Sequence, residues 1–279
     1  MKAFRINVNR CHGCYNCQIA CKDEHCSNDW TPFAKPQPEW GHFWGKLEDH
    51  IRGSVGKGLP ENNKIRMSSH CKVDYVWVPC QHCENAPCVA ECPVDAIYTR
   101  SDGMVVIDPL LCTGCHRCIE ACPYGVIYYN TTLNIAQKCT GCAHLLERGW
   151  PISEPRCADQ CPTEAILFGE ESDLDLAGTE TLHPEFGLTT RVHYLALPKK
   201  FIAGTVYDPS AKEVIEGATV TLSGDGNATE TTDEFGDFWF DELSEGTFTV
   251  TISANGKTAT VDDIDTTEKD INLGDIALS

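Results

Sequence analysis

No cysteine follows Cys161, although all 18 cysteines of the 279-residue chain lie before that point. Basic residues are also scarce: 22 Lys and Arg stand against 41 Asp and Glu, a net charge of -19. So acidic a chain lacks the clustered cations that phosphate contacts need, which excludes nucleic acid as a partner. No apolar run approaches the roughly 20 residues that cross a bilayer, so no direct membrane span is expected. The opening stretch MKAFRINVNRCHGC has no apolar core, no cleavage site and no paired arginines. A cytoplasmic protein is expected, or one exported with a partner subunit that carries the signal for both. In a reducing compartment, dense cysteine points to metal or redox chemistry and away from disulfides.

The imbalances are unevenly placed. Residues 201–279 hold 17 Asp and Glu against 3 Lys and Arg, whereas residues 1–200 hold 24 against 19. Two domains are therefore expected. Residues 1–197 form a cysteine-rich, nearly charge-balanced part with an insertion at about 27–79. Residues 198–279 form an acidic, cysteine-free part.

What the first part contains is a repeat. CHGCYNCQIAC supplies Cys11, Cys14, Cys17 and Cys21, and CQHCENAPCVAECP supplies Cys80, Cys83, Cys88 and Cys92. CTGCHRCIEACP supplies Cys112, Cys115, Cys118 and Cys122. The last run is split, with Cys139 and Cys142 in CTGC and Cys157 and Cys161 in CADQCP. Only Cys26 and Cys71 stay outside, and they read as ordinary buried thiols.

Three thiolates two residues apart can wrap one face of an iron–sulfur cube. A fourth, three residues further on where a short helix carries the chain away, reaches a neighbouring cube. On that spacing Cys112, Cys115 and Cys118 hold one cluster and Cys122 serves another. Proline after the fourth cysteine fixes the backbone and removes a donor. The flanking stretches AFRINVNRC, GMVVIDPLLC, PVDAIYT, PYGVIYYN and PTEAILFGE each read as a strand beside a cluster loop. Zinc is the rival metal, best suited to CTGC with CADQC taken alone. The compact runs suit a cube better, and their fourfold return favours four clusters.

The order of the runs, with a wide second and a split fourth, resembles the four-cluster iron–sulfur subunit of dimethyl-sulfoxide-reductase-type molybdopterin enzymes. The resemblance implies two ferredoxin-like modules in an α+β fold. It pairs Cys11, Cys14 and Cys17 with Cys161, and Cys139, Cys142 and Cys157 with Cys21. Likewise it pairs Cys80, Cys83 and Cys88 with Cys122, and Cys112, Cys115 and Cys118 with Cys92. It implies four [4Fe-4S] clusters here. Molybdopterin guanine dinucleotide with Mo or W would reside on a large catalytic partner, and an external electron carrier would serve the other end. His12, His82, His116 and His144, inside or beside the loops, read as packing or hydrogen-bonding groups. Lys22 stands where the other runs have proline and could raise a local potential.

The insertion brings Trp30, Trp40 and Trp44 close together. It reads either as a docking segment for a large partner or as an internal lid. In the C-terminal part, FIAGTVYD, ATVTLSG, GDFWFDEL, GTFTVTISANG, TATVDDI and INLGDIAL are short strand-like segments separated by turns. Phe248, Val250 and Ile252 alternate with Thr249 and Thr251, the period of a half-buried strand. Six or seven strands in an all-β sandwich are expected. The segment resembles the carboxypeptidase-regulatory-like, or transthyretin-like, domain, and it carries no visible catalytic residue.

A four-cluster N-terminus joined to such a sandwich is similar to the small subunits of the pyrogallol–phloroglucinol transhydroxylase family. WGHFW, CQHCENAPCVA, CPYGVIYYN, AQKCTGCAHLLE and PRCA carry the local likeness. That family has lost some ligand cysteines, whereas all sixteen stand here. An unbroken set suits net electron flow, so the resemblance implies hydroxylation, dehydroxylation or transhydroxylation of a phenolic ring on the partner. The alternatives are another respiratory reductase, for arsenate or polysulfide, and a free-standing polyferredoxin.

Overall fold

The computed structural model describes residues 1–53, 70–149 and 154–279. The chain falls into two units, one of Met1–Asp49 with Asp74–Leu197 and one of His50–Val73 with Pro198–Ser279. The insertion is thereby divided between them, and its residues 54–69 lie outside the described residues.

In the first unit, β1 (Lys2–Asn7) leads through the first cysteine loop into α1 (Asn16–His25). The ribbon strands β2 (Lys46–Gly53) and β3 (Cys71–Val78) follow, paired with each other. The second run carries α2 (Pro87–Ala90) and precedes the hairpin β4 (Ile97–Thr99) and β5 (Val105–Ile107). The third carries α3 (Arg117–Ala121) and precedes the hairpin β6 (Tyr128–Asn130) and β7 (Ile135–Gln137). The split fourth run carries α4 (Ala143–Arg148) and α5 (Arg156–Asp159) and ends in β8 (Ile166–Glu170). Strand β9 (Val192–Leu195) closes the unit.

Phe4 and Ile6 point inward from β1, which lies between an antiparallel β8 and a parallel β9. Phe4 faces Phe168 and Val192 across the sheet, and Ile6 faces Ile166 and Tyr194. Helix α1 packs on α5, and α2 packs on α3. Runs one and four thus adjoin, as do runs two and three.

The helices start earlier than the spacing suggests. Cys17, Cys88, Cys118 and Cys157 are each the second residue of a helix, so the third cysteine of each run sits in a first turn. There the unpaired N–H groups favour negative charge. In three runs the helix stops before the fourth cysteine, ahead of Pro93, Pro123 or Pro162. A proline excludes helical continuation at and just before itself. Lys22 lifts that restriction in the first run, and α1 continues for ten residues to His25.

The second unit has its own core. One sheet centres on β10 (Lys200–Asp208), flanked by β11 (Glu213–Val214), β14 (Asp237–Leu243) and β17 (Ile271–Ala277). The other runs β13-β12-β15-β16, from β12 (Thr219–Gly224), β13 (Ala228–Thr231), β15 (Thr247–Ala254) and β16 (Lys257–Asp265). Phe248, Val250 and Ile252 face inward from β15 against Val220, Leu222 and Phe238. Strands β11 and β13 are absent from the sequence reading. Both are short and polar, and β13 is exposed along most of its length, so no apolar alternation marks them.

The far end of the ribbon belongs to this second unit. Arg52 Nη1 lies 2.9 Å from Asp270 Oδ1, and Lys72 Nζ lies 2.5 Å from Asp241 Oδ1. Arg52 stands over the Phe201 ring at 5.4 Å and Lys72 over the Trp239 ring at 5.1 Å. Among the described residues, no helix is long and apolar enough to cross a membrane.

Candidate metal centres

The cysteines converge in four groups of four. The first cavity, of ≈ 390 Å³, is lined by Cys11, Cys14, Cys17 and Cys161, with His12, Tyr15, Tyr75 and Trp77 as walls. Cys21, Cys139, Cys142 and Cys157 form a second quartet, all four buried, with Cys139 and Cys142 acting electrostatically on both Cys21 and Cys157. Cys80, Cys83, Cys88 and Cys122 line a third, of ≈ 340 Å³. Cys92, Cys112, Cys115 and Cys118 line a fourth, of ≈ 290 Å³. The sixteen cysteines of the four runs are thus brought together by fours. Cys26 and Cys71 are half-buried rather than buried and line none of these cavities.

Backbone geometry sets each quartet. Gly13, Gly114 and Gly141 occupy the third place of their CxGC loops at φ +73°, +69° and +61°. At Gly13 a methyl group would lie 2.4 Å from the Tyr75 ring, so the close approach needs glycine as much as the dihedral does. The second run has His82 there instead, held at φ 45°. Its Nδ1 accepts a 3.0 Å hydrogen bond from the Val105 N–H, which helps offset the cost of the left-handed conformation. Amide groups also point at sulfur: His82 N to Cys80 Sγ, Gly141 N to Cys139 Sγ and Ala136 N to Cys112 Sγ, each at 3.4 Å.

The residues fit iron–sulfur clusters. Without a metal, ionised sulfurs in these quartets would be electrostatically unfavourable. Burial, then the neighbouring sulfurs, pushes Cys17 and Cys83 up to about 12. Burial drives Cys142 to about 12 and Cys118 to about 11. A cationic iron core held by these cysteines would reverse that repulsion and keep the sulfurs ionised. Among the described residues, no three His, Cys, Asp or Glu side chains stand close enough to hold a single metal ion.

The quartets also influence one another electrostatically. Cys17 of the first acts on Cys21 and Cys157 of the second. Cys139 of the second feels Cys80 of the third. Cys88 of the third feels Cys118 of the fourth.

The histidines take packing and hydrogen-bonding places. His116 lies 3.9 Å from the Tyr129 ring, and His144 stacks on Trp30 at 4.4 Å while meeting Glu24 at 3.0 Å. The buried Trp44 lies against His25, whereas Trp40 is 85% exposed. Lys22 Nζ binds Gln37 Oε1 and the His42 carbonyl at 3.1 Å each, and the Pro38 carbonyl, fastening the insertion to α1.

Two groups escaped the sequence reading. His25, buried in α1, brings Nε2 within 3.8 Å of Cys142 Sγ. Lys138, beside Cys139, is buried with Nζ 3.3 Å from Cys80 Sγ. Burial opposes its charge, but Cys80, Cys88 and Cys139 outweigh that, and its pKa lies above the usual lysine value.

A family model described as the 4Fe-4S dicluster domain matches residues 71–171, and one described as the carboxypeptidase regulatory-like domain matches residues 202–279. The pyrogallol hydroxytransferase small subunit of Pelobacter acidigallici is 37% identical over 285 residues, covering 98% of this chain and 97% of that protein. A tetrathionate reductase subunit of Salmonella typhimurium is 31% identical over 72% of this chain and 74% of its own length. A polypeptide of the anaerobic dimethyl sulfoxide reductase of Escherichia coli is 33% identical over 61% of this chain and 74% of its own.

Proposed function

This chain belongs to the oxidoreductase iron–sulfur subunit family that includes the pyrogallol hydroxytransferase small subunit and its dimethyl sulfoxide reductase counterpart, and we propose that it relays electrons through four [4Fe-4S] clusters to or from a large molybdopterin catalytic subunit. The single observation that carries this reading is the gathering of sixteen thiols from four runs into groups of four. A cluster of this kind, when bound, takes up and releases one electron. The chain's own residues supply the sulfur ligands, the N–H donors that stabilise charge on them, and a covering of apolar side chains that keeps water away. No residue of this chain is assigned a role in substrate chemistry.

A phenolic ring is the substrate class we assign to the partner, through hydroxylation, dehydroxylation or transhydroxylation. The end-to-end likeness to the pyrogallol hydroxytransferase small subunit, sandwich included, supports it. The reductase subunits align with a smaller share of the chain. The full set of sixteen cysteines favours net electron flow over a redox-neutral exchange. The partner would hold molybdopterin guanine dinucleotide with Mo or W.

Anaerobic co-purification followed by metal analysis tests this reading. About four iron atoms per quartet are expected, with Mo or W in the larger partner. A colourless chain containing zinc would overturn it.

A further inference from the structure

The second and third quartets share a positive charge that no cysteine spacing announces. Lys138 is 2% exposed, and its Nζ donates to Cys80 Sγ at 3.3 Å, to the Cys139 carbonyl at 3.1 Å and to the Val105 carbonyl. Its three acceptors are thus a sulfur and two carbonyls, with no carboxylate among them. A buried ammonium without an anion beside it is strongly unfavourable. The groups able to supply that anion are sulfurs: Cys80 of the third quartet, in direct contact, and Cys139 of the second, one residue along the chain.

We propose that Lys138 is a positioning residue shared by the two central quartets, a fixed cation that raises the reduction potential of both above the values their ligands alone would give. This rests on the reading of the quartets as cluster ligands. One electron from an external one-electron donor adds one negative charge to either central site. No bond forms or breaks, and no proton is required. Because the ammonium borders both sites, it stabilises the added charge at each, and the transfer between them stays close to balanced.

The test is an EPR-monitored redox titration of the anaerobically purified complex carrying Lys138→Met or Lys138→Gln. Iron in the wild-type complex is measured first, since its absence would sink the cluster reading rather than the role of Lys138. With iron retained, Lys138→Met is expected to lower two midpoint potentials. The shift corresponds to at least a tenfold change in the ratio of reduced to oxidised centre at fixed potential, about 59 mV for one electron, and the other two potentials hold. Lys138→Gln keeps a donor towards Cys80 without the charge and should give the same two shifts. Unchanged potentials in Lys138→Met, recovery in Lys138→Gln, or a uniform shift of every potential would overturn the proposal. If both variants lose iron, the wild-type complex with ¹⁵N in its lysine side chains is reduced and read by hyperfine spectroscopy. Nitrogen coupling at two distinct centres is expected, and coupling at one or none rejects the shared role.

Discussion

Replacing Gly13 by alanine separates two reasons for a glycine in the first cysteine loop. At φ +73° any L side chain is strained, by roughly 1–2 kcal/mol. The added methyl would also lie 2.4 Å from Tyr75 Cζ and 2.6 Å from two further ring atoms. That ring walls the first cavity together with Trp77 and Leu47, so it must shift to make room for the methyl. Overpacking of this kind adds roughly 1–3 kcal/mol. The sum, about 2–5 kcal/mol, is comparable with the whole stability of many domains at about 5–15 kcal/mol. Gly125 supplies the control: it has φ +63° and nothing within 4 Å of an added methyl, so Gly125→Ala carries the strain alone. Iron quantification and EPR of the anaerobically isolated complexes read the difference. Gly13→Ala should lose about a quarter of the iron, that of the first quartet, and Gly125→Ala should keep all of it. Full iron content and an unaltered spectrum in Gly13→Ala would refute the contact argument. Equal losses in both variants would show that the dihedral alone decides.

Other outcomes follow from the same geometry. Cys122→Ala should perturb the centre shared with Cys80, Cys83 and Cys88 and spare the one on Cys92, Cys112, Cys115 and Cys118; EPR of separately assigned centres distinguishes the two, and loss of the latter alone would reject the pairing. Phe248→Ala, at a position 2% exposed in the sandwich core, should cost about 3–5 kcal/mol of that unit's stability with iron unchanged, as read by thermal melting beside metal analysis. Deletion of residues 201–279 should likewise retain iron, and an iron-free product would tie the sandwich to the cluster fold. Lys22→Met removes three hydrogen bonds that fasten residues 37–42, so faster proteolysis of that stretch is expected with the second quartet's iron retained.

The grouping of sixteen cysteines into four runs was legible because a cysteine loop is a local object. Intervals of three or four residues set which sulfurs can face one space, and a chain writes such intervals directly. The strand period through Phe248, Val250 and Ile252 was legible for the same reason, each side chain's direction following from its neighbours. Strand β13 was not, because an exposed edge strand needs no apolar residues and leaves no period to count. The insertion was only half legible: its tryptophans announced burial or docking, but which ring would do which depended on partners far along the chain. Trp30 found His144 and Arg148, Trp44 found His25, and Trp40 stayed in the open.

By itself the sequence determined how many thiols there are, which of them share a loop, and that an acidic sandwich follows them. Tertiary structure decided what surrounds those thiols. Lys138 and Cys80 stand 58 residues apart yet 3.3 Å from each other, and His82 holds its unusual backbone through Val105, 23 residues away. Residues 50–53 and 70–73 join the C-terminal unit across more than a hundred residues of chain. Ligand spacing is short-ranged along the chain, whereas charge and burial act through space, and only folding brings those distant groups to the metal sites.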